Sequence, residues 1–358
     1  MRESVSFTIT RLQYLTTDGH CDTPLPDWLT PDLLIDAYKT LLRVRTFDTK
    51  TIALQRTGKL GTYASVLGQE AISTAIGLTM SPEDVLAPYY RDTGAQLLRG
   101  VRMEELLAYW GGDERGSAYV ECPNDFPICV PIATQVAHGA GAAAALKIRG
   151  VKAASVTTCG DGATSKGDFL ESLNLVGAWQ LPLVIVVNNN QWAISVPREH
   201  QCHAPTLAQK AIAAGIPGVQ VDGNDMIGLL VALRESLERA HHGKGGTLIE
   251  AVTYRLCDHT TADDASRYRP AEEVDHAWAA EPVARLRRYL ESRHLWNDEQ
   301  ENAWLAECKT EVDAAVARYL ALEPEPPEAM FDHLYAELPA TYQSQRSELA
   351  SRHPSPLG

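Results

Sequence analysis

Paired cysteines, clustered basic residues and long apolar runs are all missing from this sequence of 358 residues. Its seven cysteines form no Cys-x-x-Cys pair and no Cys/His series at zinc spacing, which predicts reduced thiols rather than a disulfide framework or a zinc site. The adjacent pairs Cys202-His203 and His241-His242 are poor metal ligands, because neighbouring side chains in a strand or helix point apart.

The charge balance excludes further classes of partner. The formal net charge is -14, and the longest basic clusters are pairs such as Arg287-Arg288, which argues against binding to nucleic acid. No apolar run approaches the roughly 20 residues that a membrane span needs. The first ten residues contain no hydrophobic region of a signal peptide. We therefore expect a cytoplasmic globular protein with neither a nucleic-acid nor a membrane partner.

Helical and strand patterns alternate through the middle of the chain. Thr30-Pro31-Asp32 has the order of a helix start, and it predicts a helix over residues 31–57. Apolar strand patterns follow at 85–87, 153–160, 183–187, 218–223 and 247–254, with helical segments between most of them. Such alternation is typical of a doubly wound, mainly parallel α/β sheet.

The remaining composition predicts three regions. Residues 1–29 form an N-terminal arm, residues 30–270 the α/β domain, and residues 271–358 a helical extension with a proline-rich linker near 322–328. The segment 131–150 predicts a helix built almost wholly of small residues. Small side chains let another backbone approach closely, so this helix is expected in the middle of the molecule or at a subunit interface, and Gly139→Leu is predicted to split the oligomer by overpacking.

Polar residues follow two successive buried strands. Asp161 follows the first strand, and Asn188, Asn189 and Asn190 follow the apolar run LVIVV. A right-handed crossover places both strand exits on one carboxyl edge, where open α/β sheets bind ligands. One carboxylate and one amide oxygen suit Mg²⁺ that takes its other ligands from water and a phosphorylated cofactor. The flanking Gly160 and Gly162 let backbone N–H groups approach an anion.

Three alternatives compete with this interpretation. Asparagines alone are often a plain turn. A dinucleotide loop requires a third glycine where Ser165 stands, and a nucleotide P-loop requires a Gly-Lys-Ser or Gly-Lys-Thr that the sequence does not contain. Asp-Gly after one strand and three asparagines after the next together favour a site for Mg²⁺ and a diphosphate.

Four sequence blocks resemble one known family. They are GTYASVLGQEA (61–71), YRDTGAQLLRG (90–100), GDGATSKGD through NNNQWAIS, and TYRLCDHTTADDASRYR (253–269). Together they resemble the α subunit of the thiamine diphosphate-dependent first component of 2-oxo acid dehydrogenase complexes, over nearly all of residues 30–340. The resemblance implies the thiamine diphosphate-binding fold, a mainly parallel doubly wound sheet with an N-terminal helical arm and a C-terminal helical extension.

The resemblance also implies roles for individual residues. Asp161 and Asn190 would bind Mg²⁺ with the backbone carbonyl of Trp192, and Gly160, Gly162 and Ala163 would lie against the diphosphate. Tyr90 and Arg91 would hold the diphosphate oxygens, and Thr134 and Gln135 match a K⁺-binding loop of the branched-chain members. Three positions depart from many relatives, namely Val130, Asn188 and Trp192.

His259 lies in the polar segment DHTTADD, which has no periodicity. The resemblance makes it the catalytic-loop histidine and a contact to the cofactor, for which a proton affinity near neutrality would be suitable. Thr260 stands where animal relatives carry a phosphorylated serine. We expect the loop 257–269 to become ordered when the cofactor binds, with Arg267 and Arg269 pairing with its aspartates.

One expected residue is missing. Thiamine chemistry uses a glutamate that bonds the aminopyrimidine ring, which the family supplies from a β subunit, and no glutamate here matches it. The resemblance therefore implies an α₂β₂ heterotetramer, inactive without β, that decarboxylates a 2-oxo acid and acylates the lipoyl group of a dihydrolipoyl acyltransferase. Pyruvate is the expected substrate. The alternatives are a branched-chain 2-oxo acid (2-oxoisovalerate) dehydrogenase and a non-catalytic assembly subunit.

Overall fold

A six-stranded sheet lies at the centre of the computed structural model, which describes residues 6–332 and 334–352. The strands, including two that form a separate short hairpin, are β1 (Thr10–Leu12), β2 (Val85–Ala87), β3 (Ser155–Gly160), β4 (Leu183–Asn189), β5 (Trp192–Ala193), β6 (Val196–Pro197), β7 (Gly218–Asp222) and β8 (Thr247–Val252). The central order is β1-β7-β8-β4-β3-β2, and every pairing within it is parallel. The predicted parallel α/β sheet is thereby confirmed.

Helices connect and cover these strands. They are α1 (Pro31–Arg56), α2 (Glu70–Thr79), α3 (Thr93–Leu98), α4 (Met103–Gly111), α5 (Thr134–Arg149), α6 (Gly167–Trp179), α7 (Arg198–Gln201), α8 (Lys210–Ala214), α9 (Met226–His241), α10 (Ala271–Trp278), α11 (Pro282–Ser292), α12 (Asp298–Leu320) and α13 (Ala340–Arg352). The long helix α1 starts where the sequence predicts, because the Thr30 hydroxyl accepts a hydrogen bond from the Leu33 N–H.

Both faces of the sheet are buried. In β4, Val184 and Val186 join a core that contains residues of α1, α2, α9 and α11. Leu183, Ile185 and Val187 point the opposite way into a second core with residues of α5, α6 and α8. An alternating side-chain direction with apolar residues on both sides explains the continuous apolar run in the sequence.

The asparagine triplet does not end β4 where the sequence predicts. The strand continues through Asn188 and Asn189, and Asn188 stands opposite Gly160 of β3. Side-chain partners offset the poor strand propensity of asparagine: the Asn188 amide donates to the Tyr89 hydroxyl, and the Asn189 amide donates to Glu250. Asn190 is therefore the first residue beyond the strand, and Asp161 is the first residue beyond β3.

The N-terminal arm contributes a strand that the sequence pattern does not predict. Residues of β1 pair with β7 at one edge of the sheet. The Asp225 carboxylate caps α9 and also accepts hydrogen bonds from the backbone N–H groups of Tyr14 and Leu15. Leu15 is fully buried. Residues 10–15 are thus fixed to the sheet by backbone pairing, one carboxylate and one core side chain.

The two glycines of the small-residue helix α5 face opposite ways. A Cβ added to Gly139 would lie 2.9 Å from the Thr157 Cβ and 3.1 Å from the Leu183 Cδ1, so this residue faces the chain's own sheet. A Cβ added to Gly141 would meet nothing within 4 Å. The prediction of a subunit interface at Gly139 is therefore wrong, because this residue packs inside its own chain, whereas the Gly141 side of α5 is open to another chain.

The chain divides into two compact units, with the boundary between Val316 and Ala317. In the described part of the second unit, the rings of Tyr335 and Tyr342 stack with centroids 5.7 Å apart, and Arg346 pairs with Asp332 at 2.9 Å. None of the helices in residues 6–332 and 334–352 combines the length and apolar character that a membrane span requires.

Candidate active site

A cavity of about 250 Å³ lies at the carboxyl ends of β3 and β4. Ten of the eleven residues singled out from the sequence line it: Tyr90, Arg91, Gln135, Gly160, Asp161, Gly162, Ala163, Asn190, Trp192 and His259. Thr134, the first residue of α5, is not on its wall. The fold thus brings three of the four sequence blocks, together with Gln135, to one cavity.

Five further residues line the cavity, and the sequence does not single them out: Tyr89, Ile132, Ala193, Ile194 and Gln201. Ile194 is unusual because a β-branched residue with φ of 55° is strained, and its side chain is 55% exposed. Strain and an exposed apolar side chain at a cavity wall are signs of a functional position. Neither feature is visible in the sequence.

Asp161 is a buried carboxylate without a cation partner in the described part of the chain. Its side chain is 3% exposed, and the Gln201 amide donates to Oδ2 at 3.3 Å. Burial raises the pKa of Asp161 to about 6. An isolated buried carboxylate of this kind gains stability from a bound cation, and Gln201 fixes its orientation.

Asn190 is oriented by two hydrogen bonds. Its amide nitrogen donates to Gln69 Oε1 at 2.8 Å, while its Oδ1 accepts from the backbone N–H of Trp192 at 3.2 Å. Because the nitrogen is held by Gln69, the oxygen faces the side of Trp192 and retains a free lone pair. Asn190 thus presents an oxygen donor beside the cavity that Asp161 also lines.

His259 lies between two arginines. The Arg91 guanidinium donates to the His259 carbonyl at 2.7 Å and lies 3.3 Å from Nδ1, and the Arg255 Nη1 lies 3.4 Å from the same Nδ1. Burial, followed by these two positive charges, lowers the pKa of His259 to about 4. The imidazole is therefore neutral near pH 7, in contrast to the expected proton affinity near neutrality.

The sequence model of the dehydrogenase E1 component family matches residues 38–327. The pyruvate dehydrogenase E1 component subunit alpha of Staphylococcus epidermidis is 38% identical over 338 residues, which cover 93% of this chain and 91% of the relative. The protein of the same name from Staphylococcus aureus is 38% identical over 323 residues, or 90% and 87% of the two chains. The chain belongs to the dehydrogenase E1 component family. E1 components are oxidoreductases of 2-oxo acid dehydrogenase complexes, and the family binds thiamine diphosphate.

The cavity fits the cofactor of the E1 family in two respects. A Cβ on Gly162 would lie 2.6 Å from the Ala193 Cβ and 3.1 Å from Gln201 Oε1, so only glycine leaves its backbone open at this wall. No group of three or more His, Cys, Asp or Glu side chains able to hold a metal occurs in the described residues. The donors at this cavity are one carboxylate and amide oxygens, a set that suits Mg²⁺ rather than a transition metal.

Gln135 carries a second unsatisfied group. Its amide nitrogen donates to the Thr158 carbonyl at 2.9 Å, but its buried Oε1 has no hydrogen-bond partner among the described residues. The preceding Ala133 has φ of 68°, which turns the backbone sharply at the start of α5. A buried amide oxygen without a donor is costly, so a cation at this position would compensate it.

The segment 255–269, which contains the expected catalytic loop 257–269, is held mainly by bonds other than the expected arginine–aspartate pairs. Asp263 Oδ2 accepts from the His259 N–H at 2.9 Å and also from the Tyr268 hydroxyl. Arg269 donates to the Arg255 carbonyl instead of an aspartate, and Arg267 makes only an exposed pair with Asp264 at 3.4 Å. Asp263 therefore takes its hydrogen bonds from a backbone N–H and a phenol hydroxyl.

Glu70 is structural, as its position in a helix start suggests. It is fully buried and lies 2.7 Å from Arg45, which also pairs with Glu281 at 2.7 Å. Asp161 is the only carboxylate on the wall of the cavity within the described chain. No glutamate among the described residues therefore lines the cavity.

Proposed function

We propose that this chain is the α subunit of a pyruvate dehydrogenase E1 component, acting with a β subunit. The pair would catalyse oxidative decarboxylation of pyruvate and transfer the acetyl group to the lipoyl group of a dihydrolipoyl acyltransferase. The observation that carries this proposal is the meeting of Asp161, Asn190 and the Gly162 backbone at one cavity. The names of the staphylococcal relatives favour pyruvate over a branched-chain 2-oxo acid.

The residues of the cavity divide into cation and anion partners. Asp161, the Asn190 side-chain oxygen and the Trp192 carbonyl would hold Mg²⁺, which explains why a carboxylate without a cation is buried here. Gly162 and Ala163 would present backbone N–H groups to the diphosphate, with Tyr90 and Arg91 beside it. When bound, thiamine diphosphate supplies the nucleophilic carbon and the electron sink that decarboxylation of a 2-oxo acid needs.

The environment of His259 determines its protonation and tautomer. Arg91 and Arg255 can only donate, so Nδ1, which lies 3.3 and 3.4 Å from them, must accept. A neutral imidazole that accepts at Nδ1 carries its proton at Nε2. His259 is therefore set to donate a hydrogen bond from Nε2 at the cavity wall, which is the direction needed at a substrate oxygen.

We assign a K⁺ site to the first turn of α5. The buried Gln135 Oε1 lacks a partner among the described residues, and Thr134 adds a hydroxyl next to it in the chain. Gln135 also bonds β3 through the Thr158 carbonyl, one residue before Cys159 and two before Gly160. Cation binding at Gln135 would thus stabilise the end of β3 from which Asp161 emerges.

The β subunit is assigned to the open side of the cavity. Four apolar residues at or next to its rim, Val130, Ile132, Ile194 and Val196, are between 42% and 55% exposed. None of the described residues places a glutamate on the cavity wall for the aminopyrimidine ring, so a second chain would supply one. The exposed side of α5, which includes Gly141 and Ile148, offers a second open surface for an α₂β₂ assembly.

The experiment is to produce this chain together with the β subunit of the same organism. Calorimetry then measures thiamine diphosphate binding with and without Mg²⁺, and a coupled assay compares pyruvate with 2-oxoisovalerate as substrates for lipoyl acylation. Mg²⁺-dependent binding and a larger kcat/KM for pyruvate are expected. A larger kcat/KM for 2-oxoisovalerate would favour the branched-chain function, and absence of cofactor binding would favour an assembly subunit.

A further inference from the structure

Tyr254 lies at the base of the catalytic loop and joins three parts of the chain. Its hydroxyl accepts a hydrogen bond from the Trp192 indole N–H at 3.2 Å and donates one to Glu273 Oε2 at 2.8 Å. The Arg269 guanidinium lies 5.8 Å from the centre of the Tyr254 ring. Tyr254 precedes the catalytic loop, whereas Arg269 ends it and Glu273 follows it. One side chain therefore brings both ends of the loop together.

Trp192 connects this junction to the cavity. It lines the cavity wall, is 8% exposed, and contacts the ring of Tyr268 in the loop at 5.6 Å between centroids. A buried indole N–H needs an acceptor, and the Tyr254 hydroxyl provides it. Phenylalanine at position 192 would lack this donor. The wall of the cavity is thus bonded directly to the residue that closes the loop.

The helix α10 depends on few contacts. None of its residues is buried, and only Val274 and Ala277 are half-buried, so apolar packing contributes little to its position. The bond between the Tyr254 hydroxyl and Glu273 has a charged acceptor, which makes it stronger than a neutral bond of the same length. Glu273 is itself exposed, and its loss would leave no cavity in the core. Its contribution is to hold α10, and with it the end of the loop, against Tyr254.

We propose that Tyr254 and Glu273 are positioning residues for the E1 reaction. Their hydrogen bonds to each other and to Trp192 fix the base of the catalytic loop, and so determine the fraction of time for which His259 stands at the cavity. This inference rests on the proposed function of the cavity and of His259. Neither Tyr254 nor Glu273 lines the cavity, and Glu273 lies on the exposed helix α10.

The test uses the assembled α and β chains with thiamine diphosphate and Mg²⁺. The variants are Glu273→Ala, Glu273→Gln, Tyr254→Phe and the matched control Glu272→Ala. Glu272 is also exposed, has the same charge and lies on the same helix, but does not bond to Tyr254. Hydrogen–deuterium exchange of residues 255–269 reports loop order, steady-state kinetics give kcat and KM, and thermal unfolding reports stability.

Glu273→Ala should raise exchange in the loop and lower kcat, each by about three- to tenfold, which is the range for one lost hydrogen bond. The KM for pyruvate and the Tm should change little. Glu273→Gln should restore wild-type loop exchange and kcat, because its amide oxygen can accept a hydrogen bond from Tyr254. Tyr254→Phe should have an effect at least as large as that of Glu273→Ala. Glu272→Ala should resemble wild type.

Equal loop exchange in Glu273→Ala and Glu272→Ala would overturn the inference, and so would a Glu273→Gln variant that behaves like Glu273→Ala. A lower Tm of Glu273→Ala with unchanged kcat and loop exchange would also overturn it, because the bond would then be purely structural. Failure of the proposed function is distinguishable, because the wild-type assembly would then bind no thiamine diphosphate. In that case the loop exchange would show no dependence on the cofactor in any variant.

Discussion

The Arg91 guanidinium donates a hydrogen bond to the backbone carbonyl of His259 at 2.7 Å and lies 3.3 Å from Nδ1 of the same residue. One arginine therefore both positions the histidine and opposes its protonation. Arg255 adds a second positive charge next to the same nitrogen. An anionic cofactor beside these cations would offset their charge. Cofactor binding and the protonation of His259 are thus coupled through Arg91 and Arg255.

Stability of the cofactor-free assembly should fall as the pH drops from about 6.5 to about 4, in part because of His259. Its pKa is lowered to about 4 in the folded chain from an ordinary value of 6.5. The unfolded chain therefore binds more protons in this window, and acidification favours unfolding. His259→Gln should lose less stability than wild type between pH 7 and pH 5 in urea unfolding. The control is His200→Gln at an exposed site, and equal pH dependence in all three proteins would contradict the assignment.

Asp161→Asn should stabilise the cofactor-free protein and abolish Mg²⁺-dependent cofactor binding. Burial raises the pKa of Asp161 to about 6, so the ionised carboxylate costs stability that increases as the pH rises from about 4 through 6. The neutral amide avoids this cost, which amounts to about 2–3 kcal/mol at neutral pH. Thermal unfolding and calorimetry with thiamine diphosphate measure both effects.

The matched control for this substitution is Asp168→Asn, which changes a half-exposed carboxylate in the first turn of α6. It should leave both the Tm and the cofactor affinity within error of wild type. Wild-type cofactor affinity in Asp161→Asn would remove the residue from the metal site. A lower Tm in that variant would show that the carboxylate stabilises the fold instead of opposing it.

Gly162→Ala should weaken cofactor binding through steric overlap. The added methyl group would lie 2.6 Å from the Ala193 Cβ, so either the β5 segment or the loop after β3 must shift. Gly167→Ala is the control, because a Cβ at Gly167 would meet only the flexible end of Glu171 at 3.3 Å. A loss of at least tenfold in thiamine diphosphate affinity is expected for Gly162→Ala alone. Equal affinities in the two variants would show that the wall tolerates a side chain.

Gly141→Arg should split the oligomer while the α chain remains folded. A side chain at this position of α5 projects into open space within the chain, and replacing a helical glycine gains up to about 1 kcal/mol of helix stability. The control is Ala306→Arg on the exposed side of α12. Sedimentation of the mixed α and β chains measures the result, and an unchanged profile for Gly141→Arg would place the interface elsewhere. Gly139→Leu would instead disrupt contacts with Thr157 and Leu183 in the chain's own core.

Local sequence patterns predict the parts of this fold that depend on local physics. The apolar run LVIVV is followed by polar residues because a strand buried on both faces ends at a ligand-binding edge, and the position of Asp161 after β3 follows from the same pattern. The end of β4 differs from prediction because Tyr89 and Glu250, distant in sequence, satisfy two asparagines inside the strand. Hydrogen-bond partners that are distant in sequence cannot be predicted from the residues next to the asparagines.

The site residues that the sequence does not reveal reach the cavity through tertiary structure and not through a local sequence pattern. Gln201 contacts Asp161 only because the hairpin β5-β6 and α7 fold back toward the end of β3. Ile194 is distinguished only by the positive φ of its backbone. Strand β1 forms because it pairs with β7 and because the Asp225 carboxylate accepts a hydrogen bond from the Leu15 N–H. Hydrophobic periodicity and secondary-structure propensity depend on neighbouring residues. They predict neither which distant segment a loop contacts nor where the backbone is strained, so these features are seen only in the folded chain.

Asp263→Ala should release the catalytic loop and lower the rate of lipoyl acylation more than it lowers cofactor affinity. The Asp263 carboxylate holds the backbone N–H of His259 at 2.9 Å and the Tyr268 hydroxyl, which also accepts from Arg255 at 2.8 Å. Few apolar side chains in this loop are buried, so its order depends on such bonds to offset an entropy cost of about 1–2 kcal/mol per residue. A displacement of His259 by about 1 Å would reduce kcat up to about 100-fold.

The neighbouring Asp264 provides the control, because it is exposed and bonds only within its own turn and to Arg267. Limited proteolysis between Leu256 and Arg269, with and without thiamine diphosphate and Mg²⁺, measures loop order in both variants and in wild type. The cofactor should protect the loop of wild type and of Asp264→Ala, but not that of Asp263→Ala, since the carboxylate transmits order from Tyr268 to His259. Cleavage of the wild-type loop that is indifferent to the cofactor would reject cofactor-dependent ordering. If Asp263→Ala is protected as well as wild type, the arginines alone must hold His259 at the cavity.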